Sequence, residues 1–186
     1  LHSRKIYHGE LNPSNILLRA RHSSTESYFQ AKLTGFGLVS IKSFVRSQHS
    51  SVDPVIWYAP EVLAEQEQPG KKGNAKYSEK ADVYSFGMLF FELLTGKVPF
   101  EDSHLQGDKM VRNIRAGERP LFPYPAPKYL ANFTRKCWHT NPFIRPSFSS
   151  ICRILRYIKK DLIINPEHGQ PESPPPLVDC CGIASA

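Results

Sequence analysis

Apolar residues fall on nearly every side of the helix that the segment from Glu79 to Thr95 predicts. Ser78 is a typical N-cap residue before a helix, and Gly96 is a typical residue at the position where a helix has ended. A helix that is apolar all round is buried in a core rather than lying on a surface. The pattern therefore predicts a central buried helix over residues 79–95.

Two later segments carry apolar residues at helical spacing, namely Leu130, Phe133, Cys137 and Trp138 in the first and Phe148, Ile151, Cys152, Leu155 and Ile158 in the second. Residues at such spacing share one face of a helix, so both segments predict helices that pack on the core. Because the two cysteines belong to these faces, we expect them to be buried, reduced thiols.

The first third of the chain alternates between short apolar runs and polar stretches. Residues 16–18 and 31–40 predict two short strands, and the polar residues 19–30 between them predict a long surface loop. Residues 65–78 contain almost no apolar side chains and predict an exposed loop. From residue 165 onward the chain is rich in proline and poor in apolar residues, which predicts a disordered tail.

Composition is that of a globular protein, with 186 residues of which 40% are hydrophobic and 22% charged. The net charge of +7 comes from Lys and Arg residues that are scattered along the chain, so we do not expect nucleic-acid binding. No stretch approaches the roughly 18 apolar residues that a membrane span needs. With no signal peptide and no metal-ligand spacing among the four cysteines, we expect a cytoplasmic protein.

Five short motifs occur in one order along the chain: H-G-E-L-N-P-S-N at 8–15, G-F-G at 35–37, A-P-E at 59–61, D-V-Y-S-F-G at 82–87 and R-P at 145–146. The first three are similar to the H-R-D-L-x-x-x-N, D-F-G and A-P-E motifs of protein kinases. Residues 1–160 therefore resemble the C-terminal lobe of a protein kinase of the tyrosine-kinase-like group, which is abundant in plants. The resemblance implies a mainly α fold with a short β hairpin, α+β in the full domain, and leaves residues 161–186 as a Pro-rich tail.

The resemblance does not include the N-terminal lobe of a kinase. The chain has no Gly-rich phosphate loop, no V-A-I-K strand and no partner Glu for its Lys. Since it begins at Leu1, within what resembles a helix-to-loop transition, we expect it to be part of a longer protein. ATP and Mg²⁺ would bind only with the missing lobe, and the surface which that lobe covers is expected to expose apolar side chains.

Three residues match positions that stabilise the kinase fold. In the family, the Glu of A-P-E pairs with the Arg of the later R-P motif, which implies an ion pair between Glu61 and Arg145. Asp82 matches the acid that accepts hydrogen bonds from the backbone of the catalytic loop. These three residues predict the fold and give no information about catalytic activity.

The positions used for phosphoryl transfer are altered. A kinase needs a base at the substrate hydroxyl, a cation at the γ-phosphate and oxygen ligands for Mg²⁺. The base position holds Glu10, one methylene longer than the usual Asp, and the Lys position holds Asn12. The Asp ligand of Mg²⁺ is replaced by Gly35, so Asn15 alone remains as a side-chain ligand and Mg²⁺ binding should be weak or absent. Restoring Asp at position 35 is expected to bring back Mg²⁺-dependent binding but little phosphorylation.

The segment before A-P-E departs from the family as well. Pro54 replaces the Thr whose hydroxyl ties the substrate-binding loop to the base, whereas Trp57 matches the Trp of the G-T-x-x-W-x-A-P-E pattern. Gly9 replaces the Arg that receives a phosphate on the activation loop. We therefore expect the serines at 40, 43, 47, 50 and 51 to be ordinary loop residues rather than phosphosites.

These departures favour a pseudokinase, an interaction or regulatory module of intracellular signalling whose partners are signalling proteins or other kinases. The alternative is a Ser/Thr kinase with ATP binding and residual phosphotransfer, in which Glu10 is the base and some other group replaces the lost metal ligand. A third hypothesis is membrane association through acylation of Cys180 and Cys181, which we favour less than two tail cysteines without a role.

Overall fold

The computed structural model describes residues 1–22, 27–36, 54–66, 77–103, 107–123 and 128–164. In these ranges the strands are β1 (Ile16–His22) and β2 (Ser27–Leu33), and the helices are α1 (Pro60–Gln66), α2 (Glu79–Thr95), α3 (Asp108–Ala116), α4 (Lys128–Cys137) and α5 (Phe148–Ile164). Short 3₁₀ helices span His2–Arg4, Pro13–Asn15, Pro54–Trp57 and Pro142–Ile144. The prediction of a mainly helical fold with a small hairpin is confirmed.

Helix α2 begins and ends at the two residues that its flanking sequence predicts. The Ser78 hydroxyl oxygen accepts a hydrogen bond of 3.2 Å from the backbone N–H of Ala81, which satisfies one of the free donors of the first turn. Gly96 has a left-handed backbone, with φ of 68°, and its N–H donates to the Glu92 carbonyl at 2.8 Å. Local chemistry therefore determines both ends of this helix.

The core consists of two clusters that share α2. On one side α2 packs with α1 and α3 through Val62, Leu63, Tyr84, Met88, Met110 and Ile114. Its other side packs with α4 and α5 through Val83, Phe133, Cys137, Ile151, Ile154 and Ile158. Burying one such apolar side chain stabilises a fold by about 1.5–3 kcal/mol. The all-round apolar pattern of α2 follows from its contact with both clusters.

The buried face of α5 agrees with the predicted one at Phe148, Ile151, Leu155 and Ile158 and differs from it at Cys152. Ile151, Ile154 and Ile158 form this face, whereas Cys152 is exposed. The prediction of a buried thiol is therefore wrong for Cys152, while Cys137 is buried with 0% of its surface exposed. Spacing allowed either of two overlapping stripes on α5, and packing against α4 selects the one that contains Ile154. The helix also continues to Ile164, beyond residue 160.

The polar stretch at 19–30 is not the long loop that was predicted. Most of it continues the antiparallel pairing of β1 and β2, which runs from Ile16 opposite Leu33 to Arg19 opposite Gln30 and beyond. Apolar side chains of the hairpin such as Leu18 are themselves exposed, so this hairpin needs no alternation of apolar and polar residues. The extent of its strands is determined by hydrogen bonds between the two backbones, and a hydrophobic pattern does not reveal these bonds.

Exposed apolar side chains occur in the N-terminal segment and the hairpin, namely Leu1, Ile6, Tyr7, Leu17, Leu18, Phe29, Leu33 and Phe36, and also elsewhere, as at Leu121 and Phe143. The expectation of exposed apolar surface agrees with these exposures. None of the helices in the described ranges is long and apolar enough to cross a membrane. The tail from residue 165, the five loop serines, and Cys180 and Cys181 lie outside the described residues.

Candidate functional site

Asp82, in the first turn of α2, binds the backbone at the start of the loop formed by residues 8–15. Its Oδ1 accepts from the N–H of Gly9 at 2.8 Å, and its Oδ2 accepts from the N–H of His8 at 2.8 Å. The Nε2 atom of His2 lies 2.7 Å from the same Oδ2. Because an ionised carboxylate only accepts, His2 is the donor from Nε2. Asp82 is only 2% exposed, so three donors satisfy a buried carboxylate.

Two asparagines fix the middle of the same loop. The Asn15 side chain is buried and donates from Nδ2 to the Glu10 carbonyl at 2.7 Å, and Asn12 donates to this carbonyl at 3.1 Å. The Asn12 Oδ1 accepts from the N–H of Ser14 at 3.0 Å and so caps the 3₁₀ helix Pro13–Asn15. Asn12, at the Lys position, thus stabilises the loop and brings no positive charge to the site.

The carboxylate of Glu10 is closed off by a tyrosine from a distant part of the chain. Glu10 is 5% exposed, and its Oε1 accepts a hydrogen bond of 2.6 Å from the Tyr58 hydroxyl. Tyr77 is also close enough to be affected: burial, and then the negative charge of Glu10, raise the pKa of the Tyr77 hydroxyl. The residue at the base position is therefore enclosed rather than open to solvent.

Gly35 leaves a space that Asn15 fills. Gly35 has φ of +83°, and a Cβ at this residue would lie 2.7 Å from both Cγ and Oδ1 of Asn15. Any side chain here must displace Asn15, which is held by its bond to the Glu10 carbonyl. That Gly35→Asp restores Mg²⁺-dependent binding stays a prediction, and the new side chain would first have to move the Asn15 amide.

The segment before A-P-E is tied to α2. The Trp57 carbonyl accepts from the Ser85 hydroxyl at 2.7 Å, and Val55 and Ile56 are buried next to it. Pro54 begins the 3₁₀ helix and has no hydroxyl with which to reach Glu10. The contact between this segment and the base position is made instead by Tyr58, four residues later.

Glu61, in the first turn of α1, and Arg145 form a two-point ion pair apart from the loop. The Arg145 guanidinium also donates from Nε to the His139 carbonyl at 2.7 Å, from Nη1 to the Lys80 carbonyl at 2.8 Å and from Nη2 to the Thr140 carbonyl at 3.1 Å. Arg145 is 1% exposed. It therefore joins α1, α2 and the turn after α4 at one buried point.

Residues 1–155 match the family described as protein tyrosine and serine/threonine kinase. The chain belongs to this family. The serine/threonine/tyrosine-protein kinase HT1 of Arabidopsis thaliana is 31% identical over 159 residues, which are 83% of this chain and 35% of HT1. The light-sensor protein kinase of Ceratodon purpureus is 35% identical over 170 residues, which are 86% of this chain and 13% of that protein.

Two solved structures are more similar in sequence. The cryo-EM structure of the AtMLKL3 tetramer is 58% identical with a TM-score of 0.75, covering 93% of this chain and 29% of that chain. The AtMLKL2 tetramer is 56% identical with a TM-score of 0.68, covering 91% and 30%. The predicted resemblance to the plant Ser/Thr kinase group is confirmed. The chain spans only about a third, or less, of the length of these relatives.

The kinase family generally uses ATP with Mg²⁺. Mg²⁺ demands near-octahedral oxygen coordination. Of the two side-chain ligand positions of this lobe, Gly35 has no side-chain oxygen and Asn15 has one, its Oδ1. Within the described ranges, no group of three His, Cys, Asp or Glu residues is placed to hold a metal. The described residues therefore do not fit Mg²⁺ by themselves.

The site residues that the sequence predicts lie mostly in one place, but two residues of the described structure were not foreseen, one at the site and one between α3 and the end of α4. Glu10, Asn12, Asn15 and Gly35 meet around the loop, whereas Tyr58 was not foreseen, since nothing in the string W-Y-A-P-E indicates where its hydroxyl lies. Arg119 was also missed. It donates to the carbonyls of Trp138 at 2.8 Å and Ile114 at 2.9 Å and so ties α3 to the end of α4.

Proposed function

We propose that this chain is the C-terminal lobe of a catalytically impaired kinase domain, a pseudokinase that acts as an interaction or regulatory module in cytoplasmic signalling. The observation that supports this most directly is the pair Gly35 and Asn15. The position of the metal-binding carboxylate has no side chain, and the amide of the remaining ligand fills its space. Its partners are signalling proteins or other kinases, and nucleic acid is not expected among them.

The altered charges explain why transfer fails in this proposal. Phosphoryl transfer relies on positioning and on neutralising charge at the γ-phosphate. Removing one preorganised electrostatic contact costs an enzyme about 100- to 1,000-fold in rate. Here the cation is replaced by Asn12, the metal carboxylate is lost at Gly35, and Glu10 is engaged by Tyr58. Three such losses together reduce turnover below what a transfer assay detects.

Self-association of the full-length protein is one form that this role takes. The AtMLKL3 and AtMLKL2 structures, which are 58% and 56% identical to this chain, are both tetramers. We propose that the full-length protein assembles in a similar way, with this lobe as one of its parts. Membrane association through acylation of Cys180 and Cys181 remains less favoured than two tail cysteines without a role.

A Ser/Thr kinase with residual activity is the second candidate. Glu10 keeps a carboxylate at the base position, and the buried Asn15 keeps its hydrogen bond within the loop. This candidate needs a metal ligand from outside the described residues and the release of Glu10 from Tyr58.

Transfer and nucleotide binding by the full-length protein separate the two candidates. Thermal shifts with ATP, with and without Mg²⁺, and radiolabel transfer to a generic substrate are measured beside an active family member as positive control. The proposal expects that any ATP shift is the same with and without Mg²⁺ and that no label is transferred. Mg²⁺-stimulated incorporation that is lost in Glu10→Ala would establish Glu10 as a working base and end the pseudokinase proposal.

A further inference from the structure

We propose that Tyr58 is a built-in latch, whose hydroxyl occupies the Glu10 carboxylate and clamps the segment before A-P-E onto the loop at residues 8–15. The two oxygens lie 2.6 Å apart. Separations of about 2.5–2.7 Å are typical of a hydroxyl that donates to a charged carboxylate, a bond roughly twice as strong as a neutral one. Tyr58 reaches Glu10 across 48 positions of the chain, so the contact joins two separate segments.

Both sides of the latch are anchored on the same helix. The loop that carries Glu10 is held by Asp82, which accepts from the N–H of Gly9, and the segment that carries Tyr58 is held by the bond from Ser85 to the Trp57 carbonyl. Asp82 and Ser85 lie one turn apart on α2. Because α2 fixes both segments, little conformational entropy is lost when Tyr58 meets Glu10. The contact is therefore preformed.

The Tyr58 hydroxyl lies where the hydroxyl of a substrate would have to bind Oε1 of Glu10. A general base has to lie about 2.6–3.2 Å from the group whose proton it takes. An internal hydroxyl already occupies that position at Oε1 of Glu10, and the carboxylate is 5% exposed. An external hydroxyl that approaches Oε1 must displace Tyr58 before it reaches that oxygen. The inference rests on the proposed function only in taking Glu10 as the residue at the base position.

An ordinary structural hydrogen bond and a latch differ in how far they restrict the access of external molecules to the Glu10 carboxylate. If Tyr58 only adds packing, its hydroxyl can be removed without exposing Glu10, because the ring still covers the carboxylate. If the hydroxyl holds the two segments together, its removal opens them while the rest of the lobe stays folded. The chemical reactivity of Glu10 in the folded protein distinguishes these two cases.

Carbodiimide coupling of Glu10 to glycine ethyl ester, followed by peptide mass spectrometry on the full-length protein, measures that reactivity. We expect coupling at Glu10 to be about tenfold faster in Tyr58→Phe than in the wild type, because loss of a bond to a charged group raises the open population by about that factor. The matched control is Tyr129→Phe, whose hydroxyl has no hydrogen-bond partner among the described residues. Coupling at the buried Asp82 reports global unfolding and should not change.

Equal coupling at Glu10 in the wild type and Tyr58→Phe, with Asp82 still protected, overturns the latch. If Asp82 coupling rises together with Glu10, Tyr58→Phe has unfolded the lobe, and a second variant decides. Glu10→Gln keeps the length of the side chain but removes its charge, so amide hydrogens at residues 55–58 should exchange about tenfold faster while those of α5 do not. Unchanged exchange at 55–58 contradicts the proposal. Neither measurement involves nucleotide or turnover, so its outcome is independent of the test of the proposed function.

Discussion

Arg145 grips Glu61 at two points, with Nη1 2.6 Å from Oε1 and Nη2 2.8 Å from Oε2. The pair is asymmetric in burial, because the Arg145 side chain is fully covered whereas 32% of the Glu61 side chain remains exposed. The Arg145 guanidinium is thus shielded from water and depends on its protein partners for hydrogen bonds, whereas the Glu61 carboxylate remains partly hydrated. The buried guanidinium therefore depends on Glu61 as its counter-ion.

Removal of either residue of this pair should be strongly destabilising. Glu61→Ala leaves a buried guanidinium without its counter-ion, and Arg145→Ala leaves the carbonyls that it serves without a donor. Each variant should lower the free energy of unfolding by about 3–5 kcal/mol, and the double variant by less than the sum. Urea unfolding of the full-length protein measures these values. Asp102→Ala, which breaks an exposed pair with Lys97, is the control and should cost at most about 1 kcal/mol. Single variants that unfold like the wild type would disprove the structural role of the pair.

Gly35→Ala tests whether Asn15 really fills the space beside position 35. A Cβ at Gly35 meets Asn15 at 2.7 Å, and the positive φ adds strain of about 1–2 kcal/mol. Gly96→Ala is a matched control, since Gly96 also has positive φ, +68°, but a Cβ there has nothing within 4 Å. We expect Gly35→Ala to lower the melting temperature more than Gly96→Ala does. Equal shifts would show that Asn15 moves away freely and that the space is open.

Asp82→Asn should loosen the start of the loop at residues 8–15. An amide has one acceptor oxygen where the carboxylate has two, so the N–H of His8 or of Gly9 loses its partner. Bonds to a charged group contribute about 1.5–3 kcal/mol, and we expect a loss of about that size. Hydrogen exchange at residues 8–10 reports it locally. Glu79→Gln, three residues earlier on α2 and partly exposed, serves as the control and should leave this exchange unchanged.

The two cysteines of the described helices should differ in reactivity. Burial raises the pKa of the Cys137 thiol to about 12, whereas Cys152 is exposed. At pH 8 iodoacetamide should modify the exposed Cys152 much faster than the buried Cys137 in the folded protein, because only an accessible thiolate reacts. Peptide mass spectrometry after timed labelling measures both. Rapid labelling of Cys137 without unfolding would contradict its place in the core.

The same shift predicts the direction of a pH effect on stability. The folded pKa of Cys137 is raised above its ordinary value of 9.0, so the unfolded chain binds fewer protons than the folded chain above that pH. This thiol therefore lowers stability as the pH rises from about 9 towards 12. Cys137→Ala should remove that part of the dependence, although it costs stability at every pH through the lost packing.

Local signals in the sequence determined α2 and the family to which the chain belongs. Ser78 and Gly96 mark the ends of α2 because caps act over a few residues, and the ordered motifs identify the kinase family without any knowledge of contacts. The pair of Glu61 and Arg145 was inferred through the family resemblance, since nothing in the spacing of 84 residues predicts their contact. Features that depend on neighbouring residues, such as helix caps, or that are part of a family motif can be predicted from the sequence.

Tertiary packing alone decided the rest. It buried Ile154 rather than Cys152 on α5, because two stripes with helical spacing were both available and only contact with α4 distinguishes them. It also placed Tyr58 on Glu10 and the amide of Asn15 in the space beside Gly35. These contacts join segments that are distant in the chain, and their geometry depends on how α2 holds each of them. A sequence pattern does not reveal which distant residues come into contact. The enclosure of Glu10 by Tyr58 is therefore seen only in the folded structure.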